Sequence, residues 1–364
     1  MIALDAMGGD LGPRETVGGA IAAVAEGIEV TLVGDEPTLR AELNRRGSNP
    51  ANLHIRHAAD VVEMSDHATT SVRHARQTSM YVGTQMVKSG EAAAFVTIGN
   101  TGAAMATGLV ILGRLRGVER PALSAVLPAE GGPVMLLDVG ANADARASHL
   151  VQFAHLGAAY MRAVHGIAQP RVAIMSIGEE PTKGSMLVVE AHELLAAAPS
   201  DGSRFVGNIE SRSILDGEAD VIVTDGFTGN IVIKLAEGLM QLLFGEMREA
   251  ARSSWRSKIG GALLLPALRG VRARFDYRQY GAVPLLGLAG PVFVGHGRSD
   301  EAAVTSAVRA AHHAVEQGMM AALTAAFAET RGGTPSSTPS SEPGGPPPQP
   351  TPTRGEGAET DTSS

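Results

Sequence analysis

Cysteine is absent from all 364 residues, which excludes disulfides, cysteine-rich zinc sites and an acyl-cysteine intermediate. Aromatic residues make up only 4% of the chain, so Ala, Val, Leu, Ile and Met must fill any interior within an ordinary apolar total of 44%. Long apolar runs are also missing. The strongest in the C-terminal half, 259–268, is far short of the roughly 18 residues that a spanning helix requires, so the expectation is a protein that does not cross a bilayer. Met1-Ile2-Ala3-Leu4-Asp5 has neither the basic nor the apolar region of a secretory signal, and the reading is cytoplasmic. Excess positive charge is lacking too. The formal net charge is -8, of which 331–364 hold -2 (two Arg against four acids), leaving -6 on the rest. An acidic body argues against nucleic acid as a partner.

Several nucleotide and hydrolase signatures fail on spacing. In Gly178-Glu179-Glu180-Pro181-Thr182-Lys183-Gly184-Ser185 the lysine and glycine of a phosphate-binding Walker loop are transposed. The glycines of Met7-Gly8-Gly9-Asp10-Leu11-Gly12 miss the dinucleotide pattern. No G-x-S-x-G elbow is present, and the scattered histidines show no metal spacing. Neither a metal nor a cofactor is expected.

What is present is alternation. Short β-type runs at 2–4, 30–33, 94–98, 124–127, 134–137, 172–177, 221–224 and 292–294 alternate with Ala-rich helical stretches, the pattern of an α/β fold with a largely parallel sheet. Each run ends in small and polar residues: Asp5, Gly34-Asp35, Gly99 to Gly102, Asp138 to Asn142, Gly178 to Glu180, Asp225 to Asn230 and Gly295 to Gly297. Ligands of open α/β sheets bind beyond the carboxyl ends of strands, where loop amides and helix N-termini face them. The expectation is that these loops open at one edge of one sheet and form an anion site. Ordinary turn chemistry is the competing reading.

Two segments depart from this pattern. Residues 331–364 hold eight of the 20 prolines among Ser, Thr, Gly and acids, a composition that cannot offset chain entropy, and read as a disordered tail after a 1–330 core. From 231 to 280 a protruding helical hairpin is expected. Arg248, Arg252, Arg256, Lys258, Arg269, Arg272, Arg274 and Arg278 stand against Glu249 and Asp276, a local net of +6. Pro266 in Leu263-Leu264-Leu265-Pro266-Ala267-Leu268 should break or kink the helix there and leave an apolar tip flanked by positive charge. A buried hairpin with a solvated basic face is the alternative.

Six motifs in order carry a resemblance: Asp5 to Asp10, Gly99 to Ala103, Leu137 to Asn142, Ile177 to Glu180 with Lys183-Gly184, Gly207 to Glu210, and Thr224 to Asn230. Over about residues 1–316 the chain resembles the bacterial acyl-acyl carrier protein:phosphate acyltransferases, the PlsX family. Ser176 and Ser185 stand where that family usually has asparagine, each a shorter hydrogen-bonding side chain. The resemblance implies a Rossmann-like αβα sandwich related to phosphotransacetylases and to isocitrate- and isopropylmalate-type dehydrogenases. It also implies a homodimer, and transfer of a long-chain acyl group from acyl-acyl carrier protein to inorganic phosphate for phospholipid synthesis.

That reaction makes modest demands. Phosphate is anionic near neutral pH, with a second pKa near ~6 for phosphoryl groups, and a thiol of pKa roughly 8.5 leaves with little protonation. Positioning and oxyanion stabilisation remain. Lys183 is the candidate for charge on phosphate or the oxyanion, and Asn230 for a hydrogen bond to the acyl carbonyl. Asp5, Gly8, Gly9, Asp10, Asn100, Thr101, Gly102, Asp138, Asn142, Asn208, Glu210, Asp225, Thr228, Gly229 and His296 form the wider ring, in which the acids are expected to fix loops. The ordinary alternatives are a solvated Lys183 and an Asn230 that merely caps a helix starting near Ile231. Arg252, Arg256, Lys258, Arg269, Arg272 and Arg274 are candidates for docking the carrier protein, and Leu263, Leu264, Leu265 and Leu268 for shallow contact with the inner membrane surface. A short-chain acyl-coenzyme A transferase and a non-catalytic scaffold are the rival functions.

Overall fold

The computed structural model describes residues 1–64, 66, 76–198, 201–274 and 281–329, with side chains only to 264 in the helix ending at 274 and not at 329. The expected tail at 331–364 lies outside these residues. Among these described residues eleven strands and ten α-helices alternate: β1 (Ile2–Asp5), α1 (Pro13–Ala25), β2 (Val30–Gly34), α2 (Glu36–Arg46), β3 (Leu53–His57), α3 (Ser79–Ser89), β4 (Ala94–Thr97), α4 (Thr101–Ile111), β5 (Ala122–Ala129), β6 (Gly132–Leu137), α5 (Ala147–His165), β7 (Arg171–Ser176), α6 (Met186–Ala197), β8 (Arg204–Glu210), β9 (Val221–Val223), α7 (Gly226–Arg252), α8 (Trp255–Arg274), β10 (Ala282–Leu286), β11 (Val292–Gly295), α9 (Glu301–Glu316) and α10 (Met319–Glu329).

All eight predicted strands are there. The three that were missed each lack a clean apolar run. β3 is an edge strand of sequence Leu-His-Ile-Arg-His. β8, at the other edge, contains Gly207 at φ 97° and pairs with a register shift. β10 carries Pro284, which is tolerated at the residue where its ladder passes from β11 to β5.

One mixed sheet runs β3-β2-β1-β4-β11-β10-β5-β6-β9-β7-β8. Alternate side chains go to opposite faces. Ile2 and Leu4 of β1, Met135 and Leu137 of β6 and Val221 and Val223 of β9 enter one apolar core that spans the whole sheet beneath α1, α5, α9 and α10. On the other face the core is split. Ala3 and Phe95 pack with α3 and α4, whereas Leu136, Ala173 and Ile222 pack with the first turns of α7 through Val232 and Ile233.

The direction of the strands corrects the single-edge expectation. β10 is antiparallel to β11 and to β5, and β5 is antiparallel to β6. Three reversals leave β3, β2, β1, β4 and β11 pointing one way and β6, β9, β7 and β8 pointing the other. The loops after the two sets therefore open at opposite edges.

The hairpin differs from expectation as well. Its turn is Ser253–Ser254, and α8 continues through Pro266 to Arg274. The flanking Ala, Leu and Arg are strong helix formers and outweigh one proline, so Leu263 and Leu264 lie inside α8 and form no tip. By length and composition alone, α7 is also long and apolar enough to cross a membrane, the one such helix among the described residues. A search for uncharged runs misses it because Lys234 and Glu237 interrupt it, paired to each other at 2.9 Å.

Candidate active site

At the carboxyl edge of the first strand set, Asp5 organises the loop that follows β1. Its Oδ1 accepts from the amides of Met7 (3.2 Å) and Gly8 (3.1 Å), and its Oδ2 accepts from Thr97 Oγ1 (2.8 Å). Burial pushes the Asp5 carboxyl above the usual carboxylate range, although the hydroxyls of Ser79 and Thr97 and both amides act against it. Gly8 has no room for a side chain, since a β-carbon would stand 2.7 Å from Asp5 Oδ2. Asp10 N donates to Gly297 O (2.7 Å), tying this loop to the one after β11. Asn100 caps α4 by accepting from Ala103 N (3.0 Å) and donates to the carbonyls of Met64 and Asp66, with Thr101 and Gly102 opening the helix. His296 Nδ1 accepts from Arg298 N (3.1 Å).

The opposite edge holds the remaining ring residues. Asp138, at the end of β6, accepts from the amides of Leu123, Gly140, Ala141 and Asn142 and from Asn142 Nδ2 (2.8 Å). Burial raises its pKa against those hydrogen bonds. Asn142 Nδ2 also donates to Pro121 O (2.8 Å). Asp225 caps α7 by accepting from Thr228 N (2.9 Å) and Thr228 Oγ1 (2.7 Å). Gly229 is required for packing, because a β-carbon there would overlap the Asp138 carbonyl. Asn208 Nδ2 donates to Glu180 O (2.8 Å), and Glu210 pairs with Arg212 (2.7 Å).

These residues fix loops. Two others do not. Lys183 is exposed, held by its backbone alone: its N–H donates to Glu180 O (3.0 Å), and its carbonyl accepts from Ser176 Oγ (3.0 Å). Its ammonium has no partner among the described residues, although Glu179, Glu180, Glu210 and Arg212 line an adjacent hollow. Asn230 is exposed in the second turn of α7, beside Gly140, whose absent β-carbon would stand 3.6 Å from Asn230 Oδ1. Its amide is likewise unpartnered among the described residues. The helix starts at Gly226 with Asp225 as cap, so Asn230 is not a cap. β9 and β7 are parallel neighbours, so Asn230 after β9 and Lys183 after β7 lie on one edge of the sheet.

The sequence model of the fatty acid synthesis protein family matches residues 1–322. The chain belongs to that family. Among its members, a phosphate acyltransferase of Thermus thermophilus is 51% identical over 310 residues, covering 85% of this chain and 93% of that protein. That of Pelotomaculum thermopropionicum is 48% identical over 312 residues, covering 85% and 90%. In fold, the family member described here is similar to a phosphotransacetylase from Streptococcus pyogenes, at TM-score 0.59 and 20% identity, with 87% and 94% of the two chains covered. The EutD phosphotransacetylase from Staphylococcus aureus gives TM-score 0.56 at 16% identity, with 86% and 93% covered.

Arg252, Arg256 and Lys258 flank the hairpin turn and are exposed, Arg256 lying 5.3 Å from the Trp255 ring centroid. Leu263 and Leu264 are exposed. The side chains of Leu265, Leu268, Arg269, Arg272 and Arg274 lie outside those described. No group of three or more His, Asp or Glu among the described residues could hold a metal ion. Ser176, marked in the sequence only as a shorter side chain where the family usually has asparagine, shapes the Lys183 loop through its hydroxyl.

Proposed function

We propose that this chain transfers an acyl group from acyl-acyl carrier protein to inorganic phosphate, releasing acyl phosphate and the carrier thiol, at the edge that bears Lys183 and Asn230. One observation carries the assignment of the site. At an edge where Asp138, Asn142, Asn208, Asp225 and Thr228 are all committed to loop hydrogen bonds, the Lys183 ammonium and the Asn230 amide have no partner among the described residues.

In this reading an oxygen of hydrogen phosphate attacks the thioester carbonyl, and Lys183 offsets the charge that gathers on phosphate and oxyanion. Asn230 donates to the oxyanion, an interaction whose loss costs about 100-fold or more in related chemistry. As the C–S bond breaks, the electron pair leaves on sulfur and the phosphate proton ends on the thiol. No covalent enzyme intermediate is needed, as suits a chain without cysteine.

The hairpin supports the choice of donor. Arg252, Arg256 and Lys258 form an exposed basic cluster on an acidic protein, suited to steer an acidic carrier protein. Leu263 and Leu264 suit shallow, reversible contact with an anionic membrane surface beside those charges, at the cytoplasmic face. The exposed α7 stripe of Leu235, Leu239, Leu242, Leu243 and Met247 suits a second copy of the chain. A short-chain acyl-coenzyme A donor has no use for the exposed leucines.

The test is mass spectrometry after incubation with long-chain acyl carrier protein and phosphate. Acyl phosphate is expected; its absence, with the donor left intact, rejects the reading.

A further inference from the structure

Met186 and Ile177 are the two most exposed large apolar side chains among the described residues, at 89% and 81%. Both bracket the Lys183 loop, Ile177 directly after β7 and Met186 as the first residue of α6. The loop is drawn closed at its base. Ser176 Oγ donates to Lys183 O, and a β-carbon on Gly184 would stand 3.0 Å from the same hydroxyl. The last paired residues of the neighbouring parallel strands are Ile174 and Val223, so the chain leaving β7 through Ile177 and the chain entering α7 at Gly226 emerge from adjacent strand ends. There the exposed Phe227 and Ile231 lie one turn apart on one face of α7. A soluble surface rarely gathers large apolar side chains around a lysine loop without a ligand to cover them.

We infer that Ile177, Met186, Phe227 and Ile231 form the platform on which the acyl chain lies beside the reacting carbonyl, and that they set the preference for long acyl groups. The inference rests on the acyl-transfer reading and adds the residues that discriminate between donors. The occupant follows from the juxtaposition. An acyl group about to receive phosphate is apolar along its chain and gathers negative charge at the carbonyl. The Lys183 loop presents an ammonium between two bare apolar side chains. The stripe suited to a second copy continues from Leu235 along the same face of α7.

The experiment compares the wild-type full chain with Ile177→Asn/Met186→Gln, using a long-chain and a short-chain acyl carrier protein at saturating phosphate. Wild type should favour the long-chain donor. In the double variant the long-to-short ratio of kcat/KM should fall by on the order of tenfold or more, the range for lost apolar substrate contacts. KM for phosphate and the melting temperature should hold. An unchanged ratio in an active variant overturns the platform, as does a wild type that treats both donors alike. A shift to monomer in sedimentation velocity with an unchanged ratio assigns the side chains to a second copy and also overturns it. Wild type that forms no acyl phosphate from either donor rejects the underlying reading instead. Should the double variant not fold, Met186→Gln alone carries the same comparison.

Discussion

Charge and hydrogen-bond capacity left unspent separate Lys183 and Asn230 from their neighbours at the residue scale. Lys183→Ala removes an exposed, unpartnered ammonium, so the melting temperature should not move while kcat falls by at least ~100-fold. Asn230→Ala tests the capping alternative directly. Loss of a cap would cost about 1 kcal/mol, whereas alanine in an exposed second turn is neutral to slightly favourable. The expected outcome is therefore an unchanged or slightly raised melting point with turnover reduced about 100-fold or more. Steady-state kinetics beside thermal melts separates the two effects. A folded Lys183→Ala enzyme with wild-type kcat takes that residue out of the mechanism. Both candidates were legible in the sequence as motif residues, but their freedom was not: a motif names a residue type and cannot say which of its hydrogen bonds are already satisfied.

Individual elements are held by identifiable clamps. Arg171 opens β7 and grips Asp220 just before β9, through Nε (3.0 Å), Nη2 (2.8 Å) and its backbone N–H (2.7 Å). Burial pushes the Asp220 carboxyl up, but the Arg171 hydrogen bonds and charge hold it below the usual carboxylate range. A depressed folded pKa means that stability is fully present above the unfolded value and is lost as pH falls through the folded one. Asp220→Asn should therefore cost about 1 kcal/mol at pH 7, with the gap to wild type closing below about pH 4 as the native carboxylate protonates. Denaturant unfolding across pH checks this, and a gap that stays constant to low pH removes the ion pair from the account. In the hairpin, Leu263 and Leu264 are 79% and 52% exposed, so Leu263→Glu/Leu264→Glu should remain folded and active in solution. The same variant should lose co-sedimentation with anionic vesicles, since each leucine removed from water is worth roughly 1.5 to 3 kcal/mol. Vesicle binding at the wild-type level would reject a membrane role for this part of α8.

For the whole molecule, the consequence of three strand reversals is that one chain presents two sets of ligand-type loops at opposite edges of a single sheet. α7 leaves the second edge mostly exposed, with only Gly226 and Gly229 fully buried along its 27 residues. A solvated stripe of that length is costly to a monomer. Leu239→Lys/Leu243→Lys should convert a homodimer to monomer in sedimentation velocity while leaving the sheet's circular dichroism unchanged. A wild type that sediments as monomer at micromolar concentration would overturn the dimer proposal.

The sequence alone determined the α/β class, the family motifs and the polar residues that end each strand, because local propensity, apolar periodicity and turn chemistry depend on near neighbours. Tertiary structure decided what depends on distant partners. β10 takes up Pro284 only because its two ladders meet there. The parity of antiparallel pairings, which no single segment encodes, divided the expected ring of loops between two edges and left Lys183 and Asn230 together on one of them.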